Sequence, residues 1–164
     1  MKSTDGRSKS EECLEDAARR HSLCILVVED HPDTRQALGM LLKMLGHRPG
    51  HRPTLAQNMH EGLSLGCDAD RGFDLLLSDI QLPDGDGWEL LLRLRERGRC
   101  PKRAIALSGW GSKEDLMRSK AAGFEVHLVK PLTPGALKAV LLQKDGDALD
   151  VRGRSERRAH RAHL

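Results

Sequence analysis

The sequence predicts an α/β fold built on a doubly wound parallel sheet. Short apolar runs, each ended abruptly by turn residues, alternate along the chain with segments of helical apolar spacing. The runs are continuous rather than alternating in polarity, the pattern of strands buried on both faces in parallel sheets. A third observation concerns chemistry. The runs end in Glu29-Asp30, Asp79, Ser108 and Lys130, and in open α/β sheets ligands bind at the carboxyl ends of the strands.

In chain order, Cys24 to Val28 is the first strand. Pro32 suits a first helical turn, where its missing N–H costs nothing. Leu38, Leu41, Leu42 and Leu45 follow at helical spacing, and Gly46 is the expected stop. The next strand falls at His47 to Pro53 and is interrupted by Pro49, Gly50 and Pro53, which places it at a sheet edge. Thr54 is expected to cap a weak helix to about Leu65, with Leu55, Met59 and Leu63 inward, before a loop from Gly66 to Gly72. Phe73 to Asp79 is the central strand. Asp86 caps a helix that buries Trp88, Leu91, Leu92 and the stem of Arg95, and Gly98 ends it. Arg103 to Ser108 is a strand stopped by Gly109. Ser112 to Ala122 is a helix with a thin stripe of Leu116, Met117 and Ala121. Val126 to Val129 is the last strand. Thr133 as cap and Pro134 in the first turn open a final helix with Leu137, Val140 and Leu141 inward.

The 164 residues suit one domain with tails. Three parts are expected: a polar leader over 1–21, the folded domain over 22–145, and a basic, disordered tail over 146–164 carrying Arg152, Arg154, Arg157, Arg158 and Arg161. Aromatic residues are 2% of the chain, so the core must be aliphatic. A net charge of +3 does not by itself imply nucleic acid. No run of about 18 apolar residues is present, and the N-terminus lacks the apolar centre of a secretory signal. A cytoplasmic protein without a membrane partner is expected. Cys13, Cys24, Cys67 and Cys100 are scattered without CxxC or zinc spacing and read as reduced thiols.

The strand ends carry the function. Taken singly, Asp79 reads as a loop cap, Glu29-Asp30 as a loop start, Ser108 as a turn residue and Lys130 as a surface charge. The predicted sheet gathers all of them on one rim. Clustered carboxylates favour a hard divalent cation, and oxygen ligands with room for waters suit Mg²⁺. Lys130 and the Ser108 hydroxyl can serve phosphate oxygens. Positioning and charge stabilisation are what phosphoryl transfer asks of a protein, with Asp79 as nucleophile forming an acyl phosphate.

The stretches Val27-Val28-Glu29-Asp30, Ser78-Asp79-Ile80-Gln81-Leu82-Pro83-Asp84-Gly85-Asp86-Gly87, Leu107-Ser108-Gly109 and Leu128-Val129-Lys130-Pro131 resemble the receiver (response-regulator) domain of two-component signalling. The stretch Ala122-Gly123-Phe124-Glu125-Val126-His127-Leu128-Val129-Lys130-Pro131 resembles the receivers of hybrid histidine kinases in particular. The resemblance covers about Leu23 to Gln143. It implies a flavodoxin-like five-stranded sheet of order 2-1-3-4-5, an order the general rules for such sheets already associate with receivers. It further implies that Asp79 is the phosphoacceptor. Glu29, Asp30, Asp79 and the backbone carbonyl of Gln81 would bind Mg²⁺. Ser108 would turn toward the phosphoryl group, Lys130 would contact it, and the Lys130-Pro131 bond would be cis. Gln81 and Trp110, two residues beyond Asp79 and Ser108, would tune the phosphoryl lifetime. His127 stands where the family usually has Tyr or Phe, at the switch position.

The expected partner is a sensor histidine kinase or a histidine phosphotransfer protein, and a phosphorylation-dependent homodimer is compatible with this picture. The chain would not be an enzyme beyond its own phosphorylation and autodephosphorylation. Two other classes compete. A Mg²⁺-dependent phosphatase or hydrolase with an Asp nucleophile would need a second acid and a substrate pocket. Nucleic-acid binding through the Arg-rich tail is diluted by Asp147, Asp150 and Glu156.

Overall fold

The computed structural model describes residues 23–45, 51–68, 72–109 and 111–142. The leader, Gly46, Pro49, Gly50, Trp110 and the basic tail lie outside them. Five parallel strands form the sheet: β1 (Cys24–Val28), β2 (Arg52–Ala56), β3 (Leu75–Asp79), β4 (Arg103–Ser108) and β5 (Val126–Val129). Their order is β2-β1-β3-β4-β5, the flavodoxin-like order expected from the resemblance. The helices are α1 (Pro32–Leu45), α2 (Met59–Gly66), α3 (Gly87–Glu96), α4 (Lys113–Ala122) and α5 (Pro134–Leu142). A small antiparallel ribbon pairs Gln81–Leu82 with Gly85–Asp86 between β3 and α3.

Strand periodicity splits the core in two. Ile25, Val27, Leu75, Leu77, Ile105 and Leu107 pack with Leu38 and Leu42 of α1 and Leu137 and Val140 of α5. Leu26, Val28, Leu76, Ala104 and Ala106 face α2 and α3. All five residues of β3 are buried, because a central strand has neighbours on both edges and helices on both faces.

The edge strand runs later than expected. It is Arg52–Ala56 rather than His47 to Pro53, so Thr54 and Leu55 lie in the strand and Thr54 is not the cap of the helix that follows. Pairing with β1 runs from Cys24↔Arg52 to Val28↔Ala56 and is extended by the Glu29 amide donating to the Ala56 carbonyl at 3.1 Å. Pro53 is tolerated because β2 has a neighbour on one side only. Asn58 is the cap of α2: its side chain accepts from the Glu61 amide at 2.8 Å, and Glu61 reaches back to the Gln57 amide at 2.8 Å.

Two helices turn differently from their expected stripes. In α3 the buried stripe is Gly87, Trp88, Leu90, Leu91 and Leu94, which leaves Leu92 43% exposed and Arg95 at the surface with its guanidinium over Gly123. In α4 Met117 is 73% exposed and Ala121 is exposed, while Ser119 and Ala122 are buried. A buried serine was not expected, and its hydroxyl is satisfied by partners described below. The caps read at Asp86 and Thr133 stand: Asp86 accepts from the Glu89 amide at 2.7 Å and Thr133 from the Ala136 amide at 3.1 Å. Ser112, expected as the first helical residue, is instead the cap of α4. Gly98, at φ 66°, closes α3 in the left-handed conformation that favours glycine.

Candidate functional site

Parallel strands starting from one side end on the other, so the last residues of β1, β3, β4 and β5 meet on one rim. Glu29 follows β1 and is fully buried, Asp79 closes β3 and is buried, and Asp30 is exposed beside them. Their carboxylate oxygens lie within 4.8 Å of one another. Two unit charges that far apart repel by roughly 3 kcal/mol at an effective dielectric near 20.

Lys130, just after β5, answers that repulsion. Its Nζ donates to Glu29 Oε2 at 2.7 Å and to Asp79 Oδ2 at 2.5 Å. Its backbone amide donates to the Ser108 carbonyl at 2.8 Å, which ties the ends of β4 and β5 together. The Lys130-Pro131 bond is cis, as the resemblance implied. Burial pushes the Lys130 pKa down, but the hydrogen bonds to Asp79 and Glu29 outweigh it and hold the ammonium above its ordinary value. Burial pushes the Glu29 carboxyl up; Lys130 opposes that, Asp79 adds to it, and the net direction is upward.

The backbone around the acids is fixed by local contacts. Arg35 donates through one guanidinium nitrogen to the Glu29 carbonyl at 2.8 Å and to the Asp30 carbonyl at 3.0 Å. The Gln81 amide donates to Asp79 Oδ1 at 3.0 Å, and the Gly87 amide to the Ile80 carbonyl at 2.9 Å. A Cβ on Gly87 would lie 2.5 Å from the Asp79 carbonyl oxygen, so only glycine lets α3 start this close to the end of β3. Asp84 accepts from the Met59 and His60 amides, each at 2.8 Å.

Ser108 is buried at the end of β4 and lines a cleft of about 450 Å³ with Gln81, Leu82, Asp86, Trp88 and Arg118. Arg118 stacks 3.9 Å over the Trp88 ring and reaches Asp86 at 3.3 Å. His127 is buried on the α4 side of β5, its Nδ1 2.9 Å from Ser119 Oγ. The same Ser119 oxygen accepts from the Trp88 indole N–H at 2.9 Å. Sequence reading thus named Glu29, Asp30, Asp79, Ser108 and Lys130, which the fold brings to one rim. It missed Arg35, Asp84 and Ser119. A cation five residues after the acidic pair was the available signal for Arg35; nothing in the sequence pointed to the other two.

Buried carboxylates bridged by a lysine on the rim of a doubly wound sheet, with a serine at the next strand end, are the arrangement of a phosphoacceptor signalling module. Comparison with known proteins agrees. Residues 25–142 match the family model of the response regulator receiver domain. An uncharacterised 14.6 kDa protein of Leptolyngbya boryana is 40% identical over 115 residues, covering 67% of this chain and 80% of that one. The sensor histidine kinase RcsC of Salmonella typhi is 30% identical over 120 residues, 73% of this chain but 12% of the kinase. Among solved structures, the chemotaxis protein CheY4 of Vibrio cholerae matches with a TM-score of 0.65 at 26% identity, covering 73% of this chain and 96% of that one. The chain belongs to the response regulator receiver family, and its function is that of a phosphoacceptor receiver in two-component signalling. No helix among the described residues is long and apolar enough to cross a membrane.

The buried acid gives a pH prediction. Glu29 has its folded pKa raised above 4.5, so the folded state holds its proton more tightly than the unfolded one. Stability therefore falls as pH rises from about 4.5 through the folded pKa, and the penalty is complete above it. Without added metal, Glu29→Gln should be progressively less destabilised relative to the parent as pH is raised through that window. Urea denaturation at a series of pH values measures it. A difference that is flat with pH contradicts the assignment.

Proposed function

We propose that Asp79 is the phosphoacceptor and that its phosphoryl donor is a phosphohistidine on a sensor histidine kinase or a histidine phosphotransfer protein. One observation carries this: Asp79 is a buried carboxylate whose Oδ2 is held by Lys130 and which shares its site with Glu29 and Asp30. A carboxylate oxygen of Asp79 attacks phosphorus, the P–N bond to the donor imidazole breaks, and its electron pair leaves with the ring. The product is an acyl phosphate on Asp79. In this reading the Lys130 ammonium, already on Asp79, pairs with a phosphoryl oxygen, and the Ser108 hydroxyl turns to donate to another.

The donor set fits Mg²⁺. Three carboxylates and one ammonium leave a net charge of −2 when all are ionised (−3 + 1), and the ligands are hard oxygens. Glu29, Asp30, Asp79 and the Gln81 backbone carbonyl would hold the ion. When bound, it supplies charge neutralisation for the incoming phosphoryl group. The chain has no separate substrate in this reading; its chemistry is its own phosphorylation and dephosphorylation, in the cytoplasm. The partner kinase is supported by the likeness to RcsC, whose length the chain covers only in small part. The test uses a small acyl-phosphate donor with Mg²⁺. Intact mass should rise by one phosphoryl unit, and Asp79→Asn should abolish the rise. Equal labelling of the variant contradicts the assignment.

His127 is proposed to couple Ser108 to the surface of α4, β5 and α5. It pairs with Ala106 in β4, two residues before Ser108, and contacts Ser119 of α4. Its ring NMR shifts should change when a phosphoryl mimic is added with Mg²⁺. Unmoved shifts assign the coupling to another residue.

A further inference from the structure

The loop between β3 and α3 supplies the Gln81 carbonyl, and its tip is tied to a helix 24 to 25 residues earlier. Both carboxylate oxygens of Asp84 are used: Oδ1 accepts from the Met59 amide and Oδ2 from the His60 amide, each at 2.8 Å. These are two of the four N–H groups that the first turn of any helix leaves without an internal partner. The neighbouring amides are satisfied locally, Glu61 by the Asn58 side chain and Gly62 by the Asn58 carbonyl. The first turn of α2 is therefore capped by two devices, one local and one supplied by the loop.

A steric contact reinforces the tie. A Cβ on Gly85 would lie 2.5 Å from Met59 Sδ, so the Met59 side chain occupies the space beside Gly85. The loop is thus docked on α2 at consecutive residues, by charge-assisted hydrogen bonds at Asp84 and by packing at Gly85. Asp84 accepts in its ionised form. What burial it has raises its pKa, but the His60 and Met59 amides outweigh that and hold the carboxyl below its ordinary value.

From Asp84 the connection to the site is short. Gln81–Leu82 and Gly85–Asp86 are the arms of the ribbon, and Pro83 and Asp84 are its tip. The base of the ribbon is fixed by the Gly87 amide on the Ile80 carbonyl and the Gln81 amide on Asp79. With base and tip both tied, the arm carrying the Gln81 carbonyl is held at its two ends. Without the Asp84 hydrogen bonds the base contacts remain, and the tip keeps only the packing of Gly85 against Met59.

We propose that Asp84 is a positioning residue, which fixes the Gln81 carbonyl for the cation by anchoring the ribbon tip to the first turn of α2. The inference rests on the Mg²⁺ reading above. It touches neither the ion nor the phosphoryl group, and it acts as outer partners of metal sites do, through the orientation of a ligand.

The test compares four full-length chains: the parent, Asp84→Ala, Asp84→Asn and Asn58→Ala. Asn58→Ala removes the local cap of the same helix and leaves the loop untouched, so it separates helix stability from loop position. Mg²⁺ is titrated by tryptophan fluorescence, and amide hydrogen exchange is followed at residues 81–85 with and without Mg²⁺. Asp84→Ala should weaken Mg²⁺ binding by about tenfold, the lower end of what losing an outer partner costs a metal site. Asp84→Asn keeps one acceptor oxygen and should fall between Asp84→Ala and the parent. Asn58→Ala should bind as the parent does. Without Mg²⁺, exchange at residues 81–85 should be faster in Asp84→Ala than in the parent or in Asn58→Ala. Unchanged affinity in Asp84→Ala, or an equal loss in Asn58→Ala, overturns the proposal. A parent that shows no Mg²⁺ response overturns it together with the metal reading, and is told apart by appearing before any substitution.

Discussion

The rim depends on one cation held between two buried acids. Glu29 and Asp79 are both buried, and neither is stable there as an isolated anion. Lys130 serves both at once. That arrangement requires the ends of β1, β3 and β5 to arrive on one rim, with β4 between the last two. β1 and β3 are neighbours in the sheet, so Glu29 and Asp79 meet directly. β5 lies one strand beyond β4, so Lys130 must reach across the end of β4. The pairing of Ser108 with Val129 and the Lys130 amide on the Ser108 carbonyl set where that reach begins. One slipped pairing at β4 and β5 would take the ammonium off both acids.

The site's backbone is held as firmly as its side chains. Gly87 permits α3 to begin against the Asp79 carbonyl, Arg35 grips the carbonyls of the acidic pair, and Asp84 pins the loop to α2. Arg35 ties α1 to the end of β1, Gly87 seats α3 on the end of β3, and Asp84 ties the β3–α3 loop to α2. The charged cluster is therefore surrounded by groups that cannot relax independently, which is how a protein keeps like charges close enough to share a cation.

The fold was legible where local signals and tertiary demands agreed. Continuous apolar runs marked β1, β4 and β5 with matching limits, and Asp86 and Thr133 capped the helices they preceded. It was illegible where pairing overrode local preference. Pro53 and Thr54 looked like a break and a cap, but the register with β1 carries the strand through to Ala56. Helix facing was misread at Leu92 and Met117, because an apolar side chain says nothing about which stripe meets the sheet. Ser119 faces inward in their place because Trp88 and His127 give its hydroxyl partners. The rim acids were legible because each ends an apolar run. Asp84 was not, because a turn aspartate carries no mark of the distant helix it caps.

In the proposed function the acidic cluster and Lys130 act as one electrostatic unit, in which the lysine exchanges carboxylate partners for a phosphoryl group. A crystal structure with Mg²⁺ and a phosphoryl mimic such as beryllium trifluoride tests that most directly. The expected result is the mimic on Asp79, Mg²⁺ between it and Glu29, Asp30 and the Gln81 carbonyl, and Lys130 Nζ within hydrogen-bonding distance of the mimic. A mimic bound elsewhere, or a Lys130 that keeps both carboxylates and leaves the mimic alone, would contradict it.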